Sequence, residues 1–174
     1  MLMAKNIIFV GPMGAGKTTI GRLISRSLNR KFYDSDKEIE KRTGVTIPVI
    51  FEHEQEEGFR NRESAMIEEL CGKENIVLAT GGGAVLREQN RRQMSQCGHV
   101  FYLCAPLDQL VKRTAKDKNR PLLQTANREK TIENLLNVRD PLYRDVAHTV
   151  VETDNYTVKQ VVASLLDMIN QLKL

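Results

Sequence analysis

The octapeptide Gly11-Pro12-Met13-Gly14-Ala15-Gly16-Lys17-Thr18 limits the folds open to this chain more than any other segment. It fits G-x-x-x-x-G-K-[ST], the phosphate-binding loop pattern. Its surroundings strengthen the match. Asn6-Ile-Ile-Phe-Val10 is a short apolar run, rich in β-branched residues, that reads as a buried strand. Ile20, Leu23, Ile24 and Leu28 then recur at helical spacing. Strand, glycine loop and helix therefore follow in the order that turns consecutive backbone N–H groups onto an anion, with the positive end of the helix behind them. Gly14, Ala15 and Gly16 would cradle phosphate, with Lys17, Thr18 and Thr19 at the helix start also binding the nucleotide. Lys17 would reach the β- and γ-phosphates, and the Thr18 hydroxyl would ligate Mg²⁺.

The rest of the chain repeats the alternation. Strands are expected at 5–10, 32–34, 75–79, 99–104 and 148–152. Helices are expected at 17–29, 35–43, 59–71, 87–97, 107–115, 128–145 and 157–172. Such alternation argues for a parallel sheet covered on both faces, a three-layer α/β/α arrangement. The length, 174 residues, suits one domain, 1–174, and the apolar content of 41% supports a sizeable core. Two segments interrupt the pattern. One is the polar, acidic stretch 46–58; the other is Lys116–Ala126, charged and centred on Pro121. Such long segments at the rim of an α/β domain often close over ligands. The second reads as a lid, because Arg120 gives it a group to offer phosphate.

Composition narrows the function. No apolar run approaches the ~20 residues of a membrane span. Met1–Lys5 runs straight into the first strand, leaving no expected signal peptide. Cys71, Cys97 and Cys104 are scattered, and His53, His99 and His148 are isolated. A disulfide framework, zinc site or histidine triad has nothing to build on, and reduced thiols suit the cytoplasm. The net charge of +4 lacks the interleaved aromatics of a single-strand binder, so nucleic acid is not an expected partner.

A phosphoryl-transfer site also needs a carboxylate near the metal. Ile76–Ala79 ends without one. Phe32-Tyr33-Asp34-Ser35-Asp36 delivers two, and strand alternation would put Asp34 and Asp36 on one side. One acid can hold hydrated Mg²⁺ while the other accepts the proton of an attacking hydroxyl. Helix capping by Ser35 or Asp36 is the plainer explanation and is compatible with catalysis. Arg60, Arg62, Arg113, Arg120, Arg128 and Arg139 are expected near helix ends or loops. Gly81-Gly82-Gly83 would bring bare backbone close to a ligand.

Taken together, these pieces resemble the shikimate kinases along the whole chain. The matching segments are Gly11–Thr18, Phe32–Asp36, Glu57-Gly-Phe-Arg60 with Glu63, Thr80–Gly83, Arg120-Pro-Leu-Leu123 and Arg139-Asp-Pro-Leu-Tyr143. The resemblance implies a P-loop kinase fold around a five-stranded parallel sheet, with an acceptor-binding region at about 34–62 and a lid at about 113–127. It implies ATP- and Mg²⁺-dependent phosphorylation of the shikimate 3-hydroxyl, in the route to aromatic amino acids. By position, Arg60 and Arg139 would grip the shikimate carboxylate, and Asp36 would bind the ring hydroxyls and help activate the acceptor. Gly81 and Gly82 would meet substrate through backbone groups, Asp34 would hold Mg²⁺ through water beside Thr18, Arg120 would swing in with the lid, and Arg113 would lie along the adenine. The loop 152–156, Glu-Thr-Asp-Asn-Tyr, departs from some relatives, so adenine contacts by Asn155 and Tyr156 are not carried over. A kinase of gluconate or of a nucleoside monophosphate is the nearest rival. A regulatory GTPase lacks its N-K-x-D and D-x-x-G motifs here. A non-catalytic nucleotide-binding module would not need Lys17, Thr18, Asp34 and Asp36 together. A monomer is the default expectation.

Overall fold

The computed structural model describes residues 6–118 and 120–174. Met1–Lys5, including the expected first residue of the first strand, and Asn119, inside the expected lid, lie outside the described residues. Five strands form one parallel sheet: β1 Asn6–Val10, β2 Lys31–Asp34, β3 Ile76–Ala79, β4 Gly98–Cys104 and β5 Thr149–Glu152. Their spatial order is β2-β3-β1-β4-β5. Strand β1, buried along its whole length, lies at the centre, paired with β3 through Ile7 to Phe9 and with β4 through Asn6 to Val10.

Alternation along β1 divides its side chains between two cores, as the two-residue period of a strand requires. Ile8 and Val10 join Leu78, Val100 and Tyr102 in one layer. Ile7 and Phe9 join Val77, Phe101 and Leu103 in the other. The first layer is covered by α2 (Ser35–Thr43), α3 (Ile47–Cys71), α4 (Glu88–Cys97) and the end of α6 (Arg128–Val146). The second is covered by α1 (Lys17–Ser27), α5 (Leu107–Thr114), the start of α6 and α7 (Val158–Gln171). Helix α7 packs onto the sheet through Val161, Leu165 and Ile169, which are buried.

The expectation for 46–58 needs correction. This stretch is not an irregular insertion but the first part of α3, broken by one non-helical residue, Gln55 (φ 60°). Ile47, Ile50 and Phe51 face inward at helical spacing, and Pro48 sits in the first turn, where a missing N–H costs nothing. The acidic residues that suggested a loop are the solvent face of that helix. Arg60 and Arg62 consequently lie inside α3 rather than at its start, and Arg139 lies inside α6.

Candidate active site

The loops leaving the carboxyl ends of β1, β2 and β3 converge where chain order reverses across β1, the usual ligand crevice of an open α/β sheet. Gly16 caps α1 in the left-handed conformation (φ 93°). The loop therefore presents its N–H groups and the start of α1 to one space. Lys17 is buried, and its Nζ donates to the Gly11 and Pro12 carbonyls at 2.7 and 2.8 Å. Burial, with repulsion from Arg120, pulls its pKa down to about 7 against the attraction of Asp36 and Asp34. A lysine held there is short of counter-charge, and a bound polyphosphate would supply it.

Asp34 ends β2, and Asp36 lies in the first turn of α2, so strand alternation does not relate them. The cap of α2 is Asp34 rather than Ser35 or Asp36. Its Oδ1 accepts from the Asp36 and Lys37 N–H groups at 3.1 and 3.2 Å. Its Oδ2 accepts from the Thr18 hydroxyl at 2.6 Å. Capping by one oxygen leaves the other aimed at the phosphate loop. A hydroxyl and a carboxylate in contact are hard oxygen donors of the kind Mg²⁺ takes alongside phosphate oxygens. Among the described residues no group of three His, Cys, Asp or Glu side chains could hold a metal.

A cleft of about 540 Å³ is lined by Gly14 to Ile20, Asp34, Asp36, Thr80 to Gly82, Arg113, Asp117 and Arg120. Lys17 and Asp36 thus open onto one space. A smaller pocket of about 60 Å³ adjoins it and shares Asp36, Gly81, Gly82 and Arg120. Its further walls are Arg60, Glu63, Arg139 and the apolar side chains of Met13, Phe51, Phe59 and Leu122. The half-buried Asp36 has one carboxylate oxygen, Oδ1, fully covered and without a hydrogen-bond partner. Burial, together with the charges of Glu63 and Asp34, pushes its pKa up to about 7, opposed by Arg120 and Lys17.

The two arginines of the pocket are nearly covered: Arg60 is 6% and Arg139 4% exposed. Arg60 donates to Glu63 Oε2 at 2.7 Å and to Glu56 Oε1 at 3.1 and 3.3 Å. Burial raises the Glu63 pKa, while Arg60 pulls it back. The glycine run explains how so many charged groups fit. A Cβ on Gly81 would lie 2.6 Å from Asp36 Oδ1 and 2.9 Å from Glu63 Oε1. A Cβ on Gly83 would lie 2.4 Å from both terminal nitrogens of Arg60. The Gly81 N–H donates to Ser35 Oγ at 3.0 Å, whereas no such partner meets the Gly82 N–H among the described residues.

Arg120 stands at the junction of the two spaces, its Nε donating to Asp117 Oδ2 at 2.7 Å. The 3₁₀ turn Pro121–Leu123 follows, with Leu123 fully buried. Arg128 donates to the Thr114 and Asp117 carbonyls, joining the two ends of this segment. Arg113 donates to the Gly14 carbonyl at 3.1 Å and to Gln109 at 2.9 Å. The far wall of the cleft is Thr153, Tyr156 and Val158. Thr19 is exposed at its mouth. The sequence reading placed no role on Phe51, Phe59, Thr153 or Val158. Phe51 could have been found only by taking 46–58 as helical.

The fold and cleft define a P-loop kinase whose acceptor is small and anionic. Comparison with known proteins narrows this. The family model for shikimate kinase matches residues 13–170. A shikimate kinase of Pseudomonas fluorescens is 58% identical, over 97% of this chain and 98% of its own length. One from Thioalkalivibrio sulfidiphilus is 58% identical, over 95% and 87%. The solved shikimate kinase of Acinetobacter baumannii, in complex with shikimate, superposes with a TM-score of 0.95 at 50% identity, covering 98% of this chain and 96% of that one. The chain belongs to the shikimate kinase family.

Proposed function

We infer that this protein transfers the γ-phosphoryl group of ATP to the 3-hydroxyl of shikimate, giving shikimate 3-phosphate for aromatic amino acid biosynthesis. The observation that carries this reading is the shared wall. Asp36, Gly81, Gly82 and Arg120 line both the phosphate cleft and the pocket flanked by Arg60 and Arg139. A carboxylate-bearing cyclic alcohol held by two guanidinium forks would present a hydroxyl to Asp36 and, beyond it, to the γ-phosphate.

Asp36 accepts the hydroxyl proton in this scheme. An acid with a pKa near 7 is ionised enough at neutral pH and basic enough to take a proton. Lys17 leaves the Gly11 and Pro12 carbonyls for the β- and γ-phosphate oxygens. Arg120 exchanges Asp117 for the transferring phosphoryl group, where its charge counts most. Thr18 and Asp34 would hold Mg²⁺, which would supply neutralisation of phosphate charge there. Arg113 lies along the adenine, and Tyr156 closes that side. Residues 113–127 act as a lid and 34–62 as the acceptor-binding region of a single domain. We further infer a monomer acting in the cytoplasm, without nucleic acid partners; among the described residues no helix is long and apolar enough to cross a membrane.

A coupled assay with ATP, Mg²⁺ and each of shikimate, gluconate and a nucleoside monophosphate tests the reading. Turnover with shikimate alone is expected. Turnover with either competitor and none with shikimate would overturn it.

A further inference from the structure

Tyr143 lies one helical turn beyond Arg139 on α6, on the same face. It is completely buried, and its hydroxyl donates to the Gly82 carbonyl at 2.5 Å. The ring packs at 5.0 Å from that of Tyr102 on β4. Tyr102 in turn donates to Asp140 Oδ1 at 2.7 Å, and Arg144 donates to Asp140 Oδ2 at 2.8 Å. The helix is thus tied to the sheet by one tyrosine and to the glycine turn by the other.

A buried phenol is costly unless its hydroxyl is bonded, and phenylalanine would fill the same ring volume. Packing alone therefore does not account for the hydroxyl. The group it grips is the peptide that presents Gly82 to the acceptor pocket. A Cβ on Gly82 would lie 3.4 Å from the Met13 N and 3.5 Å from Arg139 Nη1, so the phosphate loop, the glycine turn and the arginine meet at this residue. Burial pushes the Tyr143 pKa up to about 12, with Arg139 opposing, so the hydroxyl stays a donor across the neutral range.

We propose that Tyr143 is a positioning residue for the acceptor: its hydroxyl fixes the Gly82 peptide in register with the Arg139 guanidinium, so that backbone donor and carboxylate anchor act on one bound acid. This rests on the shikimate reading above. Neither tyrosine needs to touch substrate.

The test compares Tyr143→Phe with Tyr102→Phe in the full-length chain. Both remove a buried hydroxyl and its hydrogen bond, but only Tyr143 holds the glycine turn. Tyr143→Phe is expected to raise the KM for shikimate about five- to twentyfold, with the KM for ATP and kcat within about twofold of wild type, a change of roughly 1–2 kcal/mol in acceptor binding at ~1.4 kcal/mol per decade. Tyr102→Phe is expected to lower Tm and leave both KM values within about twofold. The proposal is overturned if Tyr143→Phe keeps the wild-type KM for shikimate, or if Tyr102→Phe raises it equally. Should Tyr143→Phe fail to fold, 3-fluorotyrosine at position 143 keeps ring and hydroxyl but alters donor strength. A shift in the KM for shikimate alone is then expected, and unchanged constants overturn the idea. Wild-type protein inactive on shikimate would instead sink the underlying functional reading, so the two failures are distinct.

Discussion

The two halves of the cleft are built by opposite means. The phosphate half draws on consecutive residues, Gly14 to Thr19, and on backbone N–H groups at the start of α1. The acceptor half draws on side chains carried by α2, α3 and α6 and on the turn after β3, from residue 36 to residue 139. A backbone-built site needs a conformation, which a short motif encodes. A side-chain-built site needs long-range assembly and a neighbour to hold each charge, as Glu63 and Glu56 hold Arg60. The first half should be hard to disturb except at its lysine and glycines. The second should show graded losses, each traceable to one held group.

The sharpest break in that comparison is Asp36→Asn, the group at the boundary. A fall in kcat of at least ~100-fold is expected, the scale of a lost general base, and steady-state kinetics check it. The same variant should be more stable than wild type. The folded-state pKa of about 7 lies above the ordinary aspartate value of 3.8, so wild type loses stability as pH rises through about 7. Thermal melts should show the gap widest above pH 7 and closing toward pH 4. Equal melting at pH 8 would contradict the buried, crowded environment described for this carboxylate.

Gly83→Ala probes assembly next. Its Cβ needs the space of the Arg60 terminal nitrogens, so the KM for shikimate should rise about tenfold or more while the KM for ATP holds. Arg139→Lys should raise the KM for shikimate by about tenfold or somewhat less, because a point charge cannot reproduce a bidentate fork. The smallest effect concerns the segment bearing Arg120. Hydrogen exchange across 116–126 should slow when ATP and shikimate are both present; unchanged exchange would remove the lid from the mechanism.

The same contrast governs what could be read in the sequence. Whereas the placing of Asp34 beside Thr18 came from the family resemblance, the parallel α/β fold and the strand–loop–helix followed from local pattern. Acidic 46–58 did not, because its apolar residues Ile47, Ile50 and Phe51 are few and its outward face dominates the composition. Asp34 and Asp36 were brought together for the wrong reason: the chain passes from strand to helix between them, and the cap at Asp34, not alternation, sets their geometry. Tyr143 stood in a recognised segment, yet its partner is a carbonyl 61 positions away. No local pattern encodes such a bond. Local pattern gave Arg60 and Arg139 no role either; the resemblance assigned it, and α3, α6 and the glycine turn bring the two to one pocket.

A crystal structure with shikimate and a non-hydrolysable ATP analogue tests the account most directly. It should show the shikimate carboxylate between Arg60 and Arg139, and its 3-hydroxyl within about 2.6–3.2 Å of an Asp36 oxygen on the path to the γ-phosphate. Shikimate bound elsewhere, or seated there with its 3-hydroxyl turned away from Asp36, would contradict the single shared cleft on which the mechanism depends.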